Sequence, residues 1–152
     1  MKVLAIMQNQ WVKNPEVLRA TLQRKPEWRR NMIARLLFAG CRSGKVLKQV
    51  FGERIGEIVW EEASPKIGGE SSSKFPADIP HIRTAIIELA PDVVLAFGKV
   101  ASEAMMKICA DQEHTYPPFN LIIGPHPAAR SWNANVVERI TRMRNELESL
   151  QR

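Results

Sequence analysis

Pro91-Asp92-Val93-Val94-Leu95-Ala96-Phe97-Gly98-Lys99-Val100-Ala101 is the stretch that decides the fold. After Pro91-Asp92 come five apolar residues with no polar alternation, then a glycine, then a helical pattern over residues 100–109. A strand with one wet face alternates apolar and polar side chains, whereas an unbroken short apolar run suits a strand of a parallel sheet covered on both faces.

Three further runs read the same way, at residues 3–7, 55–60 and 119–123. Helical spacing of apolar residues fills the intervals. It is carried by Met32, Ile33, Leu36 and Leu37 over 28–38, and by Val46, Leu47 and Val50 over 45–51. Ile82, Ile86 and Leu89 carry it over 79–89, and Val136, Val137, Ile140, Met143, Leu147 and Leu150 over 133–150. Strands alternating with helices predict an α/β protein, a three-layer sandwich around a central four-stranded parallel sheet. No internal repeat or boundary interrupts residues 1–152, so a single domain is expected. Residues 65–80, with Gly68-Gly69-Glu70-Ser71-Ser72-Ser73, form one long polar loop, either functional or mobile.

With 152 residues, 45% hydrophobic and 25% charged, the chain has ordinary globular composition. No run reaches the roughly 18 apolar residues of a membrane span, and the N-terminus carries no signal-peptide pattern. Cys41 and Cys109 are too few for a disulfide framework, which suits a reduced, cytoplasmic setting. His81, His114 and His126 lack metal-ligand spacing, so neither a metal nor another cofactor is expected. The net charge of +6 favours polyanionic partners. Arg24, Lys25, Arg29, Arg30 and Arg35 cluster early, followed by Arg42, Lys45 and Lys48. The arginines of the last helix alternate with glutamates, the pattern of a solvated face.

Ligands of parallel α/β sheets gather beyond the carboxyl ends of the strands. That rule selects residues 8–11, 61–64, 98–102 and 124–130, all on one edge. His126 lies between Pro125 and Pro127, on backbone that can barely relax. Asn9, distant in sequence, is expected to face it across a cleft. Several common chemistries are absent. Residues 40–46 imitate a P-loop, but the spacing is one residue short and Val46 stands where a magnesium-binding hydroxyl is needed. There is no Gly-x-Gly-x-x-Gly, and none of Ser43, Ser102 and Ser131 has nucleophile-elbow context.

Four segments together resemble the uracil-DNA glycosylase superfamily. Met7-Gln8-Asn9-Gln10-Trp11 is similar to its first motif, and Phe38-Ala39-Gly40-Cys41-Arg42-Ser43-Gly44-Lys45-Val46-Leu47 to its Phe-x-Gly-x-Ser-Gly stretch. Residues 91–101 resemble its third-strand signature, and His126-Pro127-Ala128 its closing motif. The order and approximate spacing agree over nearly the whole chain.

The resemblance implies a DNA-repair hydrolase acting on a base flipped from duplex DNA or presented by a single strand, with DNA as partner and a monomeric state. The reaction implied is hydrolysis of the N-glycosidic bond of uracil or another deaminated base. Asn9 would orient the attacking water, and His126 would donate a hydrogen bond to the base oxygen that becomes negative. Gln8 and Phe38 would hold the base, with Phe38 stacking on it. Ser43 would touch a phosphate, and Arg130 would lie on the loop that presses into the duplex. Ser102, on the strand-end segment 98–102, is expected among the DNA contacts. The family reads uracil with an Asn near the end of its second strand. Here Val59-Trp60-Glu61-Glu62 occupies that place, and Glu61 is assigned to the base. Asn9 lacks the carboxylate of the usual water-activating Asp, so excision should be slow. The four cysteines of the iron–sulfur branch are missing. Two other readings stand beside this one: a catalytically inactive DNA-binding module of the same fold, and an enzyme acting on a free nucleoside or nucleotide.

Overall fold

A computed structural model describes residues 1–8, 10–70, 74–129 and 135–152, with Gln10 and Trp11 as backbone alone. Its centre is a four-stranded, all-parallel sheet of β1 (Val3–Met7), β3 (Ile58–Glu62), β5 (Val93–Phe97) and β6 (Asn120–Gly124), in the order β3-β1-β5-β6. A two-residue pair, β2 (Gln10–Trp11) with β4 (Ile67–Gly68), lies outside it. The helices are α1 (Pro15–Arg24), α2 (Arg29–Leu37), α3 (Arg42–Phe51), α4 (Ile79–Leu89), α5 (Lys99–Ala110) and α6 (Val136–Leu150).

The central strands obey the reading of the apolar runs. Every residue of β1 and β5 is buried, because helices cover both faces. On one face Val3, Ala5, Val93, Leu95 and Phe97 pack with Ile33 and Leu37 of α2, Leu47 and Val50 of α3, and Ile140 and Met143 of α6. On the other, Leu4, Ile6, Val94 and Ala96 meet Ile82, Ala85 and Ile86 of α4 and Ala101, Met105 and Ile108 of α5. At about 1.5–3 kcal/mol for each large apolar side chain taken out of water, these two layers dominate the stability of the fold. The arrangement is the three-layer α/β sandwich.

Local sequence fixes the junctions. Gly98 has φ +90°, in the region that L side chains avoid, so the turn from β5 into α5 needs glycine. Gly44 lets α3 cross the end of α2, because a Cβ there would be driven into the Leu37 carbonyl oxygen. Cys41 caps α3, its sulfur accepting from the Gly44 N–H at 3.4 Å while its thiol donates to the Leu37 carbonyl at 3.0 Å.

Several boundaries moved. The strand expected at 55–60 runs over Ile58–Glu62, because residues 52–57 wind into a 3-10 turn and the Trp60 indole N–H donates to the Ile55 carbonyl at 3.1 Å. Two glutamates therefore finish a buried strand, where apolar patterning could not register them. β6 is an edge strand and leaves Ile123 46% exposed, so its apolar run does not mark burial on both faces. Helix α1 is additional to the expected elements; of its residues, Pro15 and Leu18 are the buried ones. Within 65–80, Ile67–Gly68 forms strand β4, and residues 71–73 lie outside the described residues.

Candidate functional site

The chain path selects one crevice. From β1 it climbs through α2 and α3 on one face to reach β3, and from β5 it climbs through α5 on the opposite face to reach β6. Between the adjacent strands β1 and β5 the connections therefore part to opposite sides, the topological switch point at which such sheets bind ligands. Gln8 follows β1 and Gly98 follows β5. The outer strands flank them in register, with Met7 opposite Glu62 and Phe97 opposite Gly124. Glu62 and Gly124 are three strand spacings apart, about 14 Å, a width that two side chains and one planar ring can span.

His126 stands two residues beyond β6, half-buried between the buried Pro125 and Pro127. Its Nδ1 accepts the Ala128 N–H at 3.1 Å, and its carbonyl accepts the Ala129 N–H at 3.0 Å. An Nδ1 that accepts must be unprotonated, so the neutral ring carries its hydrogen on Nε2, where it is a donor. Burial pushes the imidazole pKa down, which favours that neutral form. The loop is pressed against the neighbouring strand end: the Gly98 N–H donates to the Gly124 carbonyl at 2.9 Å, and a Cβ on Gly98 would lie 3.1 Å from the His126 Cβ.

Phe38 sits at the C-terminus of α2, half-buried, with its ring edge-to-face on Trp60 at 5.2 Å. Lys48 donates to its carbonyl at 2.9 Å and places its ammonium 6.0 Å from the ring centroid. Trp60 in turn stacks on Phe97, so an aromatic chain runs from Phe38 down to the end of β5. Ser43 occupies the first turn of α3, half-buried. Ser102 lies in the first part of α5, 9% exposed, and its hydroxyl finds no partner among the described residues. Gln8 is half-buried at the crevice. Asn9 and Arg130 lie outside the described residues.

The two glutamates of β3 have opposite situations. Glu61, 1% exposed, is the centre of an ion cluster. Its Oε2 takes Arg30 Nε at 3.1 Å; its Oε1 lies 3.1 Å from His81 Nε2 and 3.6 Å from Arg29 Nε, and accepts the Glu62 N–H at 3.0 Å. Burial alone would raise its pKa. The hydrogen bonds from His81 and the Glu62 backbone, with the charges of His81 and Arg29, outweigh burial and hold the carboxyl below its usual range. Its oxygens thus tie α2 and α4 to the edge strand, a structural task that fully accounts for the carboxylate.

Glu62 is 3% exposed, and its Oε2 has no hydrogen-bond partner among the described residues. Alternation along β3 puts it on the face of Ile58 and Trp60, the side on which Phe38 packs, and its register partner Met7 belongs to the same cluster. Burial and the adjacent Glu61 charge push its pKa up to about 8, against a smaller opposing pull from Arg29. At neutral pH it is a carboxylic acid with a proton to donate. The only sequence signal for it was its place at a strand end, and that signal could not separate it from Glu61.

Two other features complete the description. A small hollow is bordered by Leu18, Leu22, Met32, Ile33 and Ile67 together with Arg29. Asp111, Glu113 and His114 bring ligand-type atoms within 4.8 Å of one another, just past the end of α5 at the opposite edge of the sheet. There Asp111 is already engaged by Arg83, His114 and the Glu113 N–H. No family model, curated protein or solved structure matches the chain.

Proposed function

We propose that this protein is a base-excision glycosylase of the uracil-DNA glycosylase type, binding a flipped or single-stranded deaminated base at the crevice between β1 and β5. The observation that carries the reading is His126: an imidazole whose Nδ1 is satisfied by its own loop, which leaves the hydrogen of the neutral ring on Nε2, at the carboxyl-end edge of the sheet. Glycosidic cleavage leaves an oxocarbenium-like sugar and an anionic base. A fixed donor aimed at the oxygen that gains charge stabilises this separation more than the ground state, the largest catalytic term in most such sites. Two flanking prolines and the Ala128 bond pre-set the ring, so little ordering is left for the transition state.

In this reading Phe38 stacks on the base, with Trp60 packed against its ring. Extruding a base costs a few kcal/mol of stacking and pairing, and aromatic stacking in the pocket returns part of it. Ser43, in the first turn of α3, has backbone N–H groups beside it that favour a phosphate. Ser102 and Arg130 are further DNA contacts in this reading, Gln8 lies against the base, and Asn9 orients water. The basic excess supplies sequence-independent attraction to the strand.

A second reading is a DNA-binding module of this fold without catalysis. What favours it is that neither described carboxylate at the crevice is a free base: Glu61 is consumed by arginines and His81, and Glu62 is held neutral. One experiment separates the two. Wild type and His126→Ala are incubated with single-stranded and duplex oligonucleotides carrying uracil, hypoxanthine, xanthine or mismatched thymine, and free base and strand affinity are measured at several salt concentrations. Base release by the wild type, lost in the variant, supports the enzyme. Salt-sensitive binding without release supports the module. Affinity for free nucleotides without affinity for DNA removes both.

A further inference from the structure

We propose that Arg29 is a two-position latch, held by Glu61 and the Ser64 carbonyl while Glu62 keeps its proton and drawn to Glu62 when that proton leaves. The inference is independent of what the crevice binds. It concerns the segment that follows β3.

Two unsatisfied atoms of one cluster carry it. Glu62 Oε2 and Arg29 Nε are both buried, and neither has a hydrogen-bond partner among the described residues. One is an acceptor and the other a donor, so each lacks what the other offers. Proteins rarely bury such atoms unpaired, because the lost hydration is not recovered. Arg29 holds Glu61 loosely, with its Nε 3.6 Å from Oε1, beyond hydrogen-bond reach. Glu61 does not depend on it: Arg30 Nε and His81 Nε2 approach to 3.1 Å and the Glu62 N–H to 3.0 Å. The other contact of Arg29 is a long bond, 3.4 Å, from Nη2 to the Ser64 carbonyl. Its charge acts on both carboxyl groups.

The surroundings of Glu62 decide when the latch moves. Glu61 on its own strand is negative, and β1 opposes it with the apolar Met7. Arg30 of α2 is divided between Glu61 and Glu88 of α4, and His81 of α4 is engaged by Glu61. Burial and Glu61 raise the Glu62 pKa to about 8, so its proton is lost just above neutrality. The new anion is closed to water and stands beside another. Arg29 is the cation of this cluster with no hydrogen bond to a carboxylate, and moving to Glu62 satisfies both orphaned atoms.

That movement takes the guanidinium off Ser64. Ser64 anchors the chain beyond β3: its Oγ accepts the Lys66 N–H at 3.2 Å, and Ile67–Gly68 then pairs as β4 with β2. Loss of the Glu62 proton therefore loosens residues 64–68 beside the carboxyl-end edge.

Nuclear magnetic resonance reads each part in the intact protein from about pH 6 to about pH 10. The Glu62 carboxyl carbon, the Arg29 Nε–H and the backbone order of residues 64–68 are followed in wild type, Glu62→Gln and Arg29→Met. In the wild type all three should change with one midpoint near 8, the Nε–H moving downfield as it gains a carboxylate partner. Glu62→Gln should keep the segment ordered and the Nε–H unmoved throughout. Arg29→Met should show the loosened segment even at pH 6, with the Glu62 midpoint raised by about one pH unit or more, as when a nearby opposite charge is lost. A Glu62 midpoint in the ordinary carboxylate range overturns the latch. So does ionisation of Glu62 that leaves the Arg29 Nε–H or the order of the segment unchanged, or loosening of the segment in Glu62→Gln. Should Arg29→Met fail to fold, wild type against Glu62→Gln decides alone.

Discussion

Gly98 and His126 are in backbone contact range: a Cβ on the glycine would stand 3.1 Å from the Cβ of the histidine. The glycine has φ +90° and opens α5, while the histidine closes the loop after β6. Two strand ends thus share one tight junction, and the position of the imidazole depends on the absence of a side chain on its neighbour. Gly98→Ala is expected to cost about 1–3 kcal/mol from backbone strain. It should also displace His126, so that base release falls far more than stability does. Thermal denaturation beside excision rates checks this, and an excision rate that merely tracks stability would count against the junction.

The protonation of His126 can be observed directly. Its Nδ1 accepts from Ala128 and burial lowers its pKa. Nitrogen-15 NMR should show the Nε2–H tautomer and a titration midpoint below the ordinary 6.5. Around pH 6 the unfolded chain then binds more protons than the folded one. The stability contributed by His126 is complete above the ordinary pKa and drains away as pH falls through the folded value. His126→Ala should flatten that part of the stability profile.

Glu62 has the opposite sign of consequence. Its folded pKa of about 8 lies above the ordinary 4.5, so its stabilising effect is present below pH 4.5 and is lost as pH rises through 8. Glu62→Gln removes an ionisation the fold resists and should stabilise the protein at pH 8 by about 1–3 kcal/mol. The gain should vanish near pH 4. Denaturant titrations at both pH values check the sign.

Glu61 behaves as structure. Replacing it by Ala leaves two arginines and His81 facing a lost partner. Arg29 and Arg30 are 21% and 31% exposed, so water screens part of the penalty and the cost should be about 1–3 kcal/mol. Because its folded pKa is depressed, the stability it provides holds above the ordinary carboxyl range and is lost as pH falls through the folded value. Once the variant is folded, the Glu61 account predicts unchanged discrimination among bases, measured by strand affinity.

Much of the fold was legible in the sequence. The runs at 3–7 and 93–97 read as buried strands, and they form the middle of a parallel sheet with helices over both faces, whereas the similar run at 119–123 is an edge strand that leaves Ile123 exposed. The strand-end rule likewise located Gln8, Gly98 and His126 on one edge. What the sequence could not resolve was polar burial. Glu61 and Glu62 look alike as letters, yet one is an ion-pair hub and the other an unpaired acid, a difference set by the arginines of α2 and by which face each side chain takes. The Ser43-Gly44 segment raised a related ambiguity. Gly44 is needed for the crossing of α3 over α2, whatever Ser43 binds.

In the proposed reaction His126 Nε2–H stabilises the departing base. The most direct measurement is single-turnover release of uracil from a single-stranded oligonucleotide by wild type and by His126→Ala, both verified as folded. Slow but definite release by the wild type is expected. In the variant the rate should fall by about 10²–10³, the usual loss when a single charge-stabilising donor is removed. Equal rates in the two proteins, or no base released by the wild type, would contradict it.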